Sequence, residues 1–275
     1  MLRSNTLWLR DYANEVQRCN PDTTVKIDVY GKEDLEKTTR MFRRIYVCLG
    51  ALKRGFKEGG RELLGLDGAF MRGKYPGQML TAVGVDANNG IYPVAYGIVE
   101  SENQYSWTWF LTCLAFDLFS NSNFTFITDR QKGLLPIIAK LFPSVEHRFC
   151  VRHINENMNL TWKGGDYKEM LWRCATSTTI VKFQKNMDDL KNYNKKAHEW
   201  LSKIPPEHWS RAYFSGIPCK HDIAAIHDMA DNCMDVGTSE DWVHESYKLQ
   251  TWMNVYSHKI NPVNGRDLWS DKAMK

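Results

Sequence analysis

Apolar and polar positions along the chain change their period several times, and each change marks an element. Residues 5–18 carry apolar side chains at helical spacing, and Asn20-Pro21-Asp22 breaks that pattern. Thr24 to Tyr30 (TVKIDVY) alternates as a half-buried strand does, and Phe42 to Leu49 (FRRIYVCL) is a second extended candidate. The basic stretch Lys53-Arg54-Gly55-Phe56-Lys57 reads as a solvated face, with contact to DNA as the sharper alternative. Leu63-Leu64-Gly65-Leu66 is a short apolar run leading into Asp67-Gly68, which puts Asp67 at the end of a strand. Met79 to Asp86 (MLTAVGVD) and Ile91 to Val99 (IYPVAYGIV) flank Ala87-Asn88-Asn89-Gly90. Asn-Gly between two such runs predicts a hairpin, because both residues tolerate positive φ. Pro93 near the start of the second run predicts an edge strand or a strand beginning, since proline cannot donate to a ladder.

Ser106 is placed to cap a helix whose apolar stripe runs through Trp107, Phe110, Leu111, Leu114 and Leu118. Phe124 to Thr128 (FTFIT) predicts a short buried strand ending at Asp129. Lys132 to Phe142 predicts an amphipathic helix stopped by Pro143, and His147 to Cys150 a fifth strand before a helix from about Val151. Three antiparallel strands, a helix, a strand, a helix and a strand make an α/β layout of the ribonuclease-H kind: a mixed sheet flanked by helices. Residues 166–203 turn wholly helical and Pro205-Pro206 closes that block, while 215–275 has shorter elements and many turn residues. The chain thus divides into a segment before the core (1–60), the core (61–165), a helical insertion (166–214) and a tail (215–275).

Composition narrows the classes. With 275 residues, 43% of them hydrophobic and 25% charged, the chain can bury a sizeable core. Its 10 tryptophans, 12 tyrosines and 12 phenylalanines argue for a packed fold rather than a disordered one. No run of 18 apolar residues predicts a membrane span, and the N-terminus lacks the apolar stretch of a signal peptide. The 7 cysteines therefore read as thiols or metal ligands rather than a disulfide framework. A net charge of +4 permits a polyanionic partner without requiring one. Motifs for nucleotide binding (G-x-x-x-x-G-K-[ST]), zinc peptidases (H-E-x-x-H) and α/β hydrolases (G-x-S-x-G) are absent.

The chemistry concentrates on two aspartates. Asp67 and Asp129 each close a strand, and the inferred topology brings those strands together. Carboxylates so placed can share divalent ions roughly 3.5–4 Å apart, which stabilise the attacking and leaving oxygens of a phosphoryl displacement. The plainer alternative is that each aspartate ends a strand and starts a turn. Cys150 and His153, three apart on one helical face, can reach one metal ion or clasp a local structure. Arg130, Lys132, Arg148 and Arg152 can contact DNA phosphates or simply balance the acids nearby.

LLGLDGAFMRGKYPGQMLTAVGVDANNGIYPVAYGIVESENQYSWTWFL, followed by FITDRQKGLLPIIAKLFPSVEHRFCVRHINEN, closely resembles the core of plant Mutator-like (MULE) transposases. The resemblance runs from about residue 40 to 214, with a separate match in the tail. It implies a DDE transposase core in which Asp67 and Asp129 are the first two acids, holding Mg²⁺ or Mn²⁺. It makes Cys150-Val151-Arg152-His153 the family's C-x-x-H motif. It makes Cys219-Lys220-His221 the second half of a SWIM-type zinc finger, whose intact form holds Zn²⁺. The partners it implies are DNA, with transposon terminal repeats as the family's substrate, and a homo-oligomer, in the nucleus and with no membrane.

The chain departs from that pattern after Phe214. The family leads from a segment like IPPEHWSRAYF into Asn-Asn-x-x-Glu, which offers the third acid, and then to the first finger cysteines. Here Phe214 joins directly to Ser215-Gly216, so the glutamate and the first C-x-C are both missing. Three readings stand at this point: a transposase by descent, a derived DNA- or protein-binding regulator of transcription, and a remnant without function. The missing segment favours loss of strand cleavage.

Overall fold

The alternating strands and striped helices assemble largely as the sequence predicts. In the computed structural model the described residues are 3–30, 41–59, 63–73, 76–86, 88, 90–118, 125–129, 134–213, 245 and 248–265. Among them the chain runs α1 (Arg3–Cys19), β1 (Thr24–Tyr30), β2 (Met41–Cys48), α2 (Gly50–Gly59), β3 (Leu63–Met71), β4 (Gly77–Val85), β5 (Ile91–Val99) and α3 (Gln104–Leu118). It continues with β6 (Thr125–Thr128), α4 (Leu134–Leu141), β7 (His147–Phe149), α5 (Val151–Asn159), α6 (Gly165–Ala175), α7 (Ile180–Tyr193), α8 (Lys195–Leu201) and α9 (Leu249–Ser257). The strands form one mixed sheet in the order β1-β2-β5-β4-β3-β6-β7. β1–β2, β2–β5, β5–β4 and β4–β3 pair antiparallel. Bonds from Phe126 N to Glu146 O and from Cys150 N to Thr128 O advance along both chains together, the pattern of a parallel pair.

Four local expectations are corrected. Asp67 lies in the middle of β3 rather than at its end, because pairing with β4 continues to Met71↔Gly77. Pro93, third residue of β5, meets the strand-beginning alternative but not the edge one: β5 is internal and its register with β4 shifts there, while β2 pairs with β5 only at Tyr96–Ile98, so the proline breaks no β2 bond. Asn103, not Ser106, caps α3: its Oδ1 accepts the Ser106 N–H at 3.0 Å. The basic stretch is not a solvated face, for Lys53 turns inward to a buried carboxylate and Phe56 is 5% exposed.

The chain divides into two compact units. The first comprises 1–126, 131–146 and 244–275. Its core joins one sheet face (Leu64, Leu66, Leu80, Ala82) to the α3 stripe Trp107, Phe110, Leu111 and Leu114 and to Ile137 and Ile138 of α4. Strand periodicity then puts Gly65, Asp67 and Ala69 on the other face. On that face, α1, β2 and residues 260–263 enclose a cavity of about 300 Å³, lined by groups including Tyr12, Val16, Ile45 and Tyr96.

Residues 248–265 of the tail are part of this unit's packing. Gly55 and Gly59 let α9 lie close on α2, since a Cβ at Gly59 would come 2.7 Å from Thr251 and Val255 methyls. Asn261 N–H donates to Asn20 Oδ1 at 2.8 Å and its carbonyl accepts from Asn20 Nδ2 at 3.1 Å. Asp86 joins the hairpin turn to α9: Oδ1 accepts the N–H groups of Asn88 (2.9 Å) and Gly90 (2.7 Å), and Oδ2 accepts the Tyr256 hydroxyl at 2.6 Å. The Tyr256 hydroxyl above all holds the Asp86 carboxyl below the usual carboxylate range. A lowered folded-state pKa stabilises the fold above the unfolded value, about 4, and that gain is lost as pH falls through the folded pKa. We expect Asp86→Ala to cost about 2–3 kcal/mol at pH 7, with a smaller gap to wild type below about pH 4. Urea unfolding at both pH values checks this; a gap independent of pH would contradict an ionic role.

The second unit comprises 127–130 and 147–243. Its described helices follow the expected block, with Thr179 capping α7 and Asn194 capping α8 through their side-chain oxygens. Phe183 of α7 packs edge-on against Trp209, and Ser210 Oγ donates to Cys174 O at 3.0 Å. Asn186, 6% exposed, donates to Arg173 O and Ser177 Oγ at 2.9 Å each, which locks α6 to α7.

Candidate functional site

Asp67 gains its position from its place on β3. It pairs with Thr81, whose hydroxyl donates to Asp67 O at 3.1 Å, and its exposed carboxylate accepts the Gly68 N–H at 2.9 Å. The glycine that comes next has its own reason. A Cβ on Gly68 would come 2.6 Å from the Glu102 carboxylate, which Gln78 (2.6 Å) and Trp107 (3.2 Å) hold in place. The Asp-Gly pair therefore gives one sheet face a carboxylate and leaves the other face room for Glu102.

Asp129 succeeds β6 in the second unit, and its backbone is held from behind. Thr128, 1% exposed, donates its hydroxyl to Asp129 O at 2.6 Å and lies 2.7 Å from His147 Nε2. Because the hydroxyl hydrogen is committed to the carbonyl, Nε2 must be the donor to Thr128 Oγ1. Burial, with His208 beside it, lowers the His147 pKa to about 4, so the ring is neutral at pH 7. A neutral ring carrying Nε2–H leaves Nδ1 without a proton.

β7 is in turn clamped to the 3-10 turn Pro206–His208. His208 Nδ1 donates to His147 O at 2.9 Å, and the Arg148 guanidinium donates to Glu207 O. Phe149 and His208 rings meet at a tilt of 56°, 5.1 Å between centroids. Arg148, expected near DNA phosphate, thus spends one of its donors inside the unit.

Cys150 sits immediately before α5 and its carbonyl accepts the Ile154 N–H at 3.1 Å. His153 has a buried Nδ1 with no hydrogen-bond partner among the described residues, and its Nε2 is 4.0 Å from Glu156. Arg152 is exposed and 3.6 Å from Glu156, an i,i+4 pair. Arg130, Lys132, Cys219 and His221 lie outside the described residues. Among the described residues no three His, Cys, Asp or Glu side chains gather as a metal site. No described helix is long and apolar enough to cross a membrane.

Sequence reasoning missed two clusters. One is the Thr128–His147–His208 chain, whose only signal was a threonine before the aspartate and a histidine opening the next strand. The other is buried Asp117 in α3, which accepts from Thr24, Tyr46 and Lys53. Its signal was an acid on the apolar stripe, three residues after Leu114.

Comparison with known proteins gives two matches. Residues 63–157 match the model of the MULE transposase domain, a span that includes β3 through most of α5. The chain is 21% identical over 223 residues to Protein FAR1-RELATED SEQUENCE 6 of Arabidopsis thaliana, covering 76% of this chain and 30% of that relative. The chain therefore spans less than a third of the curated relative it matches.

Proposed function

We propose that this chain is a derivative of the plant Mutator-like transposases which keeps two acids of a DDE site and has lost strand cleavage. The observation that carries the reading is the Asp-Gly pair at mid-β3 and the aspartate directly after β6, both inside the matched span. The strand order β5-β4-β3-β6-β7, three antiparallel strands and then β6 and β7, supports a ribonuclease-H-like core. In such a core Asp67 and Asp129 together hold a divalent ion.

Their chemistry fits a hard cation. Both offer carboxylate oxygens, the ligands magnesium and manganese take, and Asp67 is exposed on its sheet face. A bound ion supplies charge neutralisation at a phosphate oxygen. Asp67 contributes a carboxylate on a strand whose ladder fixes it, and Asp129 one whose backbone the Thr128 hydroxyl fixes. A third ligand of family context is missing, so the expected affinity is weak. DNA is the proposed partner, met through phosphate by basic residues such as Arg130, Lys132 and Arg152, in the nucleus. Cys219 and His221 supply half of a zinc ligand set and, by themselves, hold zinc poorly.

Calorimetry with Mg²⁺ and Mn²⁺ tests the metal reading. Weak binding by the wild type should disappear when Asp67→Asn and Asp129→Asn are combined. Equal binding by wild type and double variant would place the ions elsewhere and contradict it.

A further inference from the structure

We propose that Thr128 and His147 are positioning residues that orient the Asp129 carboxylate for metal binding, with His208 holding His147; this rests on the metal reading above. The chain of donors is continuous within the second unit. His208 Nδ1–H donates to the His147 carbonyl (2.9 Å), His147 Nε2–H to Thr128 Oγ1 (2.7 Å), and Thr128 Oγ1–H to the Asp129 carbonyl (2.6 Å).

Asp129 needs such support because of where it sits. The last strand bond of its segment is Cys150 N–H to Thr128 O at 2.8 Å, and β6 ends at Thr128. Among the described residues β6 ends at Thr128, so the peptide groups on either side of Asp129 help to set the direction of its carboxylate. The Thr128 hydroxyl takes up this task by bonding the Asp129 carbonyl. Its own direction is set by His147, because a hydroxyl that accepts from a fixed N–H has its hydrogen turned toward its remaining acceptor. Hydrogen bonds in series polarise one another, so each link strengthens the next.

His147 in turn cannot swing away. Its ring stacks edge-on against Phe149 at 5.1 Å and lies 6.3 Å from the His208 ring. The strand that carries it is held by the reciprocal pair of His208 to His147 O and Arg148 to Glu207 O. The 3-10 turn Pro206–His208, at the end of the helical block, thereby sets the geometry of an aspartate some 78 residues earlier (207 − 129). Supporting groups of this kind typically change metal affinity by about 10–100-fold when removed.

The test is Mn²⁺ binding by the full chain, measured by calorimetry alongside thermal unfolding, for wild type, Thr128→Val and Thr128→Ser. Valine keeps the shape of a side chain that is 1% exposed and removes only the hydroxyl. Thr128→Val should raise the Mn²⁺ Kd about 10–100-fold, and Thr128→Ser should return it to the wild-type value at a comparable unfolding midpoint. Wild-type affinity in Thr128→Val, with binding still lost in Asp129→Asn, would overturn the positioning role and leave the metal reading standing. Binding insensitive to Asp129→Asn would overturn both. Should the valine variant fail to fold, ¹⁵N spectra of His147 in the wild type decide: the Nε2–H tautomer at pH 7 supports the chain of bonds, and the Nδ1–H tautomer overturns it.

Discussion

Replacing Asp117 by alanine is expected to destabilise the first unit by about 3–5 kcal/mol. The side chain is 1% exposed, and three donors converge on it: Thr24 Oγ1 at 2.6 Å, Tyr46 OH at 2.8 Å and Lys53 Nζ at 2.9 Å. Through them the last turn of α3 is tied to β1, β2 and α2 at once. Alanine would leave an ammonium that is 15% exposed without its counter-charge and a fully buried tyrosine hydroxyl without an acceptor. That hydroxyl has no aqueous alternative; burial, then Cys48 and Asp117, push its pKa well above the ordinary tyrosine value. Replacing both charges by apolar side chains of similar size, Asp117→Leu with Lys53→Met, should recover part of the loss, because no charge is then stranded. Hydrogen exchange of amides in β1, β2 and α3 measures the effect within this unit. Exchange in Asp117→Ala as slow as in the wild type would refute the account of the cluster.

Much of the fold was legible because period and punctuation agreed. The alternation of TVKIDVY, the turn between Val85 and Ile91 and the stripe Trp107, Phe110, Leu111, Leu114 and Leu118 each had one reading, and each formed the element foreseen. What escaped was long-range. Lys53 looks solvated in a basic stretch, and only the fold reveals that Asp117, 64 residues later, faces it. Pro93 signals an edge or a strand beginning, and only the fold shows an internal strand whose β2 neighbour starts pairing at Tyr96, past the residue that lacks an N–H. The tail offered turn residues and a partial finger motif; its packing depends on two glycines in α2, Gly55 and Gly59, whose purpose appears only when α9 lies across them.

The candidate site divides in the same way. The apolar runs before Asp67 and Asp129 placed both on or beside strands, as found, although β3 continues past Asp67. The bonds behind Asp129 were not legible, since Thr128, His147 and His208 come from three separate stretches and none has a motif. Near the two acids Arg148 suggested phosphate contact or charge balance; the bond from its guanidinium to the carbonyl of Glu207 had no signal in the sequence.

The second large effect expected is an absence of strand cleavage, argued from the joint at Phe214-Ser215. A site that cleaves phosphodiesters by two ions needs carboxylates enough to hold both against the attacking and leaving oxygens. In the proposed site Asp67 and Asp129 would supply two, while the glutamate of an Asn-Asn-x-x-Glu segment has no counterpart after residues 204–214. Inserting that segment, together with the missing Cys-x-Cys half of the finger and a DNA-recognition module, is expected to restore metal-dependent nicking. The most direct measurement is strand cleavage of a terminal-repeat DNA substrate by the 275-residue chain in Mg²⁺ and in Mn²⁺. The expected result is no product above a protein-free control in either metal. Robust cleavage by this chain, abolished by Asp67→Asn, would contradict the account and require a substitute acid.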